Sequence, residues 1–466
     1  MNQAKYNYKY IWLLTLVAAM GGFLCGYDCV VVGGAKSFYE PFFNLTSPTE
    51  KGWGTSSALI GCMGGALLAF FTSDKWGRKR LLVFAGFLFT ISAIGTALIN
   101  TFQWYNTFRI MGGISIGITL NLSPVYISEM APPHMRGKLV SVNQLLINIG
   151  ILAAQIVNLF ISLSDKQIPD NPTFQEIVNS WSGQAGWRWM FGAEAIPAFL
   201  FFILMLSMPP SVRWLVKNGR YEKAENILRK IGGSVFAKNE INEIKSTTGA
   251  NEISKVHFRN LLEPRMLIIL LLGIFLAILQ QWSGMNVILY YAADIFQAAG
   301  YNIKQMMLNI SVIGSIMVIM TLITVRIVDN IGRKKLMLIG TASMAILYGF
   351  IGFMFLKEIT GLLLVIVTLA NVAVYALTLA PIVWVILSEI FPNRIRGAAM
   401  SIAALSLWVG NFTLTFTFPM IKENLGWANN FWLYGIICLA GFVILYFKLP
   451  ETKNKSLEQI EKELVD

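Results

Sequence analysis

A carboxylate sits well inside the first apolar stretch of this chain. Asp28, in G-G-F-L-C-G-Y-D-C-V-V-V, is the one charged residue between positions 10 and 32. An ionised side chain at the middle of an apolar helix costs at least ~2.5–3.5 kcal/mol, and such groups face a partner or a water-filled path. Arg109, near the start of a later apolar stretch, is a partner of opposite sign. Burial favours the neutral carboxyl and the arginine favours the ionised one. A cavity opening and closing over the pair would therefore load and unload a proton. A permanent structural ion pair is the competing reading. Glu194, in F-G-A-E-A-I-P-A, is a second carboxylate of this kind. A proton role and the capping of an arginine network fit it equally, and Pro197 is placed to bend its helix.

A second set of residues is neutral and polar. Gln280, Gln281 and Asn286 fall together in another apolar stretch, with Tyr290 and Tyr291 just beyond. Carboxamides both donate and accept, so they suit neutral polyols. Unsatisfied amides in lipid are costly, which makes three of them hard to assign to packing. At about 100° per residue they do not share one helical face. A local break at Ser283-Gly284 would bring them onto one cavity. Gln144 and Asn411 add amides in other stretches, and Trp384 could lay a flat apolar face against a sugar ring. A lone tryptophan is more often a packing or interfacial residue.

Charged cassettes recur in pairs. D-K-W-G-R-K-R from Asp74 matches D-N-I-G-R-K-K from Asp329. E-M-A-P-P-H-M-R-G from Glu129 matches E-I-F-P-N-R-I-R-G from Glu389, with Arg136 and Arg396 in equivalent places. Asp74 and Arg78 are four apart, as are Asp329 and Arg333, and Gly77 and Gly332 stand where the chain must turn. Carboxylates at helix ends can pair with arginines across helix seams. Such pairs would latch one face, forming when it closes and separating when it opens. Plain orienting charge is the alternative. Two unlike cassettes repeating in the same order favour the latch. They also indicate one membrane module used twice, a common construction among secondary transporters.

The elements that must carry these residues are membrane helices. Of 466 residues, 55% are hydrophobic and 13% charged, against roughly 25% charged in soluble proteins. Residues 81–103, 266–289 and 361–387 contain no Asp, Glu, Lys or Arg, and about 20 such residues suffice to cross a bilayer. Twelve spans are predicted, at 10–32, 55–73, 81–100, 104–128, 140–163, 188–208, 266–290, 306–328, 336–356, 361–388, 398–420 and 430–448. The first is read as a retained anchor rather than a cleaved signal. The organisation is an all-α membrane protein. A six-helix bundle covers 1–208 and a linker with short amphipathic helices covers 209–265. A second six-helix bundle covers 266–449, and 450–466 is a tail expected to be helical. In the linker, Ala224, Ile227, Leu228 and Ile231 recur at helical spacing.

The net charge of +12 does not point to nucleic acid, because the cations gather in the loops of one side. Positive charge marks the cytoplasmic side, so both termini are expected there. Cys25, Cys29, Cys62 and Cys438 all fall in spans and form no disulfide framework. Two histidines in the chain and no nucleophile–base set argue against an enzyme. No metal or cofactor is expected.

Together these residues resemble the sugar porter family of the major facilitator superfamily, closest to its bacterial proton-coupled pentose and hexose symporters. The resemblance runs through G-Y-D at Asp28, both G-R-K cassettes, R-I-M-G-G-I-S-I-G from Arg109 and S-P-V-Y-I-S-E to Glu129. It continues through R-G-K-L-V-S-V-N-Q to Gln144, Q-Q-W-S-G-M-N-V-I-L-Y-Y from Gln280, W-V-I-L-S-E-I-F-P from Trp384 and P-E-T-K from Pro450. It implies two pseudo-symmetric six-helix bundles around a central sugar site, working by alternating access. It implies proton coupling through Asp28 and Arg109 with help from Glu194. Sugar would be held by Gln144, Gln280, Gln281, Asn286 and Tyr290, with Trp384 and Trp408 lining the site. Glu451 joins the cytoplasmic gate. Departures from the family pattern are Cys25 for an aromatic, Ile151 for a polar residue, Met317 for a sugar-binding asparagine, Leu407 for a glutamine, and Pro210 for a glutamate. The expected partners are a monosaccharide, protons and lipid, for a monomer in a bacterial inner membrane. A facilitative uniporter and a non-transporting sugar receptor of the same fold are the alternatives.

Overall fold

The structure is a computed structural model. It describes residues 6–166, 168–169, 172–251, 263–391 and 396–453, with side chains except at 246–251, 264, 265, 325, 328–330, 396 and 397. The tail after Lys453, expected to be helical, lies outside the described residues.

Apolar runs without charge become helices because lipid offers no partner for an open backbone. The first five spans are Tyr8–Phe42, Pro48–Trp76, Arg78–Leu98, Phe102–Met130 and Arg136–Ser164. The sixth, Ser182–Ser207, begins with a π-helical turn over Ser182–Gly186. The seventh is broken into Pro264–Trp282, Met285–Tyr290 and Ala292–Ala298. The eighth and ninth are Ile303–Ile331 and Arg333–Leu356, and the tenth is split into Leu362–Leu377 and Leu379–Ile390. The final apolar helix, Arg396–Lys448, is interrupted at Gly426 (φ 74°, ψ 175°) and so supplies the eleventh and twelfth spans. Twelve spans result among the described residues, several of them built from more than one helix.

Turn chemistry matches the cassette reading. Gly77 (φ 87°) separates the second and third spans, and Gly332 (φ 100°) separates the eighth and ninth. That left-handed backbone strains any residue with a Cβ. The two sets of six spans meet along three seams: the first span on the broken seventh, the second on the eleventh, and the fifth on the eighth.

Between the two sets lie Val212–Lys217 and Tyr221–Asn251, the latter kinked at Gly233. Ala224, Leu228 and Ile231 are buried and Ile227 partly so, as the helical spacing predicts. The Asn7 backbone N–H donates to the Ile231 carbonyl at 2.8 Å. That bond ties the start of the first span to the linker, at the end of the molecule that carries the cassettes.

Candidate functional site

Asp28 and Arg109 are each only 2% exposed. An Arg109 Nη donates to Asp28 Oδ1, and the other Nη donates to the Asp28 carbonyl at 3.0 Å. The pair joins the first span to the fourth. Gly112, one turn beyond Arg109, makes room for it, since a Cβ there would stand 2.6 Å from Asp28 Oδ2. That second oxygen has no hydrogen-bond partner among the described residues. The Arg109 guanidinium also lies over the Phe191 ring at 5.2 Å. Glu194, 3% exposed, falls between the helical stretches Trp187–Gly192 and Ala195–Ser207, and its Oε1 is unpartnered. Three buried ionisable groups thus lie close together in the first six spans.

The amides converge as the expected break requires. Gly284 takes a left-handed conformation (φ 83°) that separates Pro264–Trp282 from Met285–Tyr290. Asn286 then donates to Gln281 Oε1, and Gln281 donates to Gln280 Oε1 at 3.4 Å. Gln280 in turn donates to the Leu379 and Ala380 carbonyls at 3.0 Å each. These two carbonyls sit at the break in the tenth span, where Thr378 (φ −120°, ψ −85°) leaves the helical region. Residues that a straight helix would point apart become one hydrogen-bonded chain.

Tyr290 accepts from Asn411 Nδ2 at 3.4 Å, which links the seventh span to the eleventh. Trp408 is buried on the eleventh span, and Trp384 is partly buried on the tenth. Gln144 is partly buried on the fifth span, and among the described residues no hydrogen bond joins it to the amide chain. Ile151, Met317 and Leu407 are all buried.

The cassette charges form one network in each half. In the first, Arg78 bridges Asp74 at 2.9 Å and Glu129 at 3.2 Å. Lys217 of the linker pairs with Asp74 at 2.9 Å, the Trp214 indole donates to the Asp74 carbonyl, and Ser211 donates to Glu129. Arg136 is exposed on the surface beside Glu240 of the linker helix, so the arginine that reaches Glu129 is Arg78. Burial, with Glu243 adding to it, raises the Glu240 carboxyl against the opposing pull of Arg136 and Arg213. In the second half, Arg333 pairs with Glu389 at 3.3 Å, and Glu451 accepts from the Arg333 backbone N–H at 3.1 Å. A carboxylate at a helix N-terminus is favoured by the dipole. Pro210 occupies the equivalent place in the first half, where the third span has no side-chain cap. The side chains of Asp329 and Arg396 lie outside the described residues.

No ion pair among the described residues crosses between the halves at this end. One does at the opposite end. Lys36 of the first span, almost fully buried, pairs with Asp294 of the seventh and with Glu40 at 3.3 Å, and its ammonium lies 4.0 Å over the Tyr291 ring. The loop reading of 33–54 missed this group. The first span runs on to Phe42, so Lys36 belongs to a helix. Asn148 also donates to Thr321 across the fifth and eighth spans at 2.6 Å. A cleft of about 480 Å³ lies outside this closure, lined by Lys36, Glu40, Lys51, Asp294 and Lys422 among others.

Two facing sets of six spans, joined by an ion pair at the Lys36 end around buried polar groups, define a multi-pass membrane carrier of the major facilitator type. A family model described as "Sugar (and other) transporter" matches residues 14–464. The chain is 37% identical over 459 residues to an arabinose-proton symporter of Bacillus subtilis, covering 98% of this chain and 96% of that protein. It is also 37% identical over 489 residues to a D-xylose-proton symporter of Escherichia coli, with the same coverage. Among solved structures it is similar to the inward open conformation of the E. coli xylose transporter XylE (TM-score 0.84, 35% identity, 97% of this chain and 100% of that one). It is also similar to the XylE proton:xylose symporter bound to 6-bromo-6-deoxy-D-glucose (TM-score 0.80, 36% identity, 99% and 100%). The chain belongs to the sugar transporter family, and it is not an enzyme.

Proposed function

We propose that the chain is a proton-coupled monosaccharide symporter that imports a pentose or hexose by alternating access. The observation that carries this reading is the buried Asp28–Arg109 pair with one carboxylate oxygen left unpartnered. The free oxygen can take up a proton while the other stays beside Arg109. Protonating Asp28 weakens its hold on Arg109 and biases the halves toward the loaded transition. Glu194, close to the pair, shares the proton.

The sugar is held by the chain of Gln280, Gln281 and Asn286, with Tyr290, Gln144, Trp384 and Trp408 around it. The amides satisfy one another in this structure, and a sugar hydroxyl exchanges for those bonds rather than for water. The cassette end faces the cytoplasm, since it carries the clustered cations and both ends of the bundle. The structure is then the inward-facing arrangement, with Lys36–Asp294 closing the external side. The two cytoplasmic networks stiffen each half and meet when that side closes.

The driving force is adequate. One proton charge crossing 100 mV supplies ~2.3 kcal/mol, enough for roughly fifty-fold accumulation. The test is uptake by proteoliposomes of D-xylose, L-arabinose and D-glucose, with and without an imposed pH gradient. Uptake that ignores the gradient, with no alkalinisation outside on adding sugar, would replace symport by facilitated diffusion.

A further inference from the structure

The fifth span carries amides at Gln144, Asn148 and Gln155. At about 100° per residue, steps of four and seven keep all three within about 40° of one line along the helix. The span packs on the eighth, and Asn148 is bonded to it through Thr321. Gln155 behaves differently. It is 1% exposed, and neither of its amide atoms has a hydrogen-bond partner among the described residues. Its Oε1 lies 2.2 Å from where a Cβ on Gly314 would stand, so the amide fills a notch in the eighth span's backbone. The nearby Ser311 hydroxyl donates to the Gln155 backbone carbonyl instead, at 3.2 Å.

An amide buried without partners loses about 1–3 kcal/mol per group. A leucine would fill the same space without that loss. One turn toward the cassette end on each helix stand Ile151 and Met317, both buried and unable to hydrogen-bond. Gln155 is therefore an amide still free to hydrogen-bond at this level of the seam. It lies on the Lys36 side of the span's midpoint, in the closed part of the seam. Parting the halves at that end uncovers it, on the same helical line as Gln144.

We propose that Gln155 is a sugar ligand of the arrangement open at the Lys36 end, holding one hydroxyl of the incoming monosaccharide and thereby setting which hydroxyl is required. Its Nε2 donates to the hydroxyl oxygen and its Oε1 accepts the hydroxyl proton. This deepens the symport reading above and rests on it.

The test is binding of D-xylose, L-arabinose, D-glucose and the monodeoxy forms of each, to purified wild type and Gln155→Leu, with thermal stability measured alongside. In the wild type, one deoxy position binds about three- to tenfold more weakly than its parent sugar, the range of one neutral hydrogen bond. Gln155→Leu weakens the parent by the same factor and abolishes discrimination at that position alone, while thermal stability holds or rises. Gln155→Met, unbranched and of similar length, gives the same pattern if leucine disturbs the seam. Unchanged parent affinity in both variants overturns the proposal. So does an equal loss for the parent and every deoxy sugar, which marks a packing role. A wild type that binds none of the three sugars overturns the symport reading and the ligand role together.

Discussion

Asp294→Asn should open the Lys36 end of the molecule. In this structure the Lys36–Asp294 pair is the one ion pair between the halves among the described residues, with side chains 4% and 23% exposed. Removing one partner of a fully buried pair costs about 3–5 kcal/mol, because the other charge is left uncompensated. Here Lys36 keeps Glu40 at 3.3 Å and the Tyr291 ring at 4.0 Å, and Asp294 is partly solvated. The effect should be nearer about 2 kcal/mol, within the range for a hydrogen bond to a charged group. Because the pair exists only when this end is closed, the whole difference falls on the closed–open equilibrium. That is about a thirty-fold shift, which takes an open population of about 1% to about a quarter. Spin labels at Ser164 and Glu423, both exposed at this end, report the change as a longer distance in pulsed electron resonance. An unchanged distance distribution would refute the latch, as would a shift toward the closed distance.

Three further outcomes are expected. Asp28→Asn keeps an oxygen for Arg109 but cannot carry a proton, so proteoliposomes should lose uphill accumulation and retain sugar exchange; continued accumulation removes Asp28 as the carrier. Gly284→Ala should lower both thermal stability and sugar affinity. Its left-handed backbone costs about 1–2 kcal/mol, and its Cβ would stand 2.7 Å from the Tyr434 ring, so an unchanged Tm would contradict the role given to the break. Pro210→Glu should place a carboxylate at the head of the third span, where Glu451 stands against the ninth. A gain of about 0.3–1 kcal/mol in thermal denaturation follows from the helix dipole, and a loss would show that the two positions are not equivalent.

Much of the architecture was legible because hydropathy acts locally. Charge-free runs mark the spans, and Gly77, Gly332 and Ser283-Gly284 mark where helices must stop or break. Gly77, Gly284 and Gly332 take the positive φ that those places need. The Asp28–Arg109 pair was also legible, since two opposite charges in an apolar half have few other partners. Lys36 was not. Its neighbours at 33–54 read as a loop, and its partner lies 258 residues away. The choice of Arg78 over Arg136 as the partner of Glu129 was equally hidden, because both arginines fit the cassette spacing. Gln155 looked like one more amide in a helix with several.

The sequence by itself determined that this chain crosses the membrane as two related sets of helices. It also put ionisable groups within apolar stretches of one set and amides within apolar stretches of the other, because burying apolar side chains depends on composition within a helix length. Only the tertiary structure decided which oxygen of Asp28 is free, that Lys36 joins the halves through Asp294, and which amides are already paired. Those outcomes depend on how helix faces meet across the seams. A contact between spans far apart in the chain leaves no periodic trace in the order of the residues.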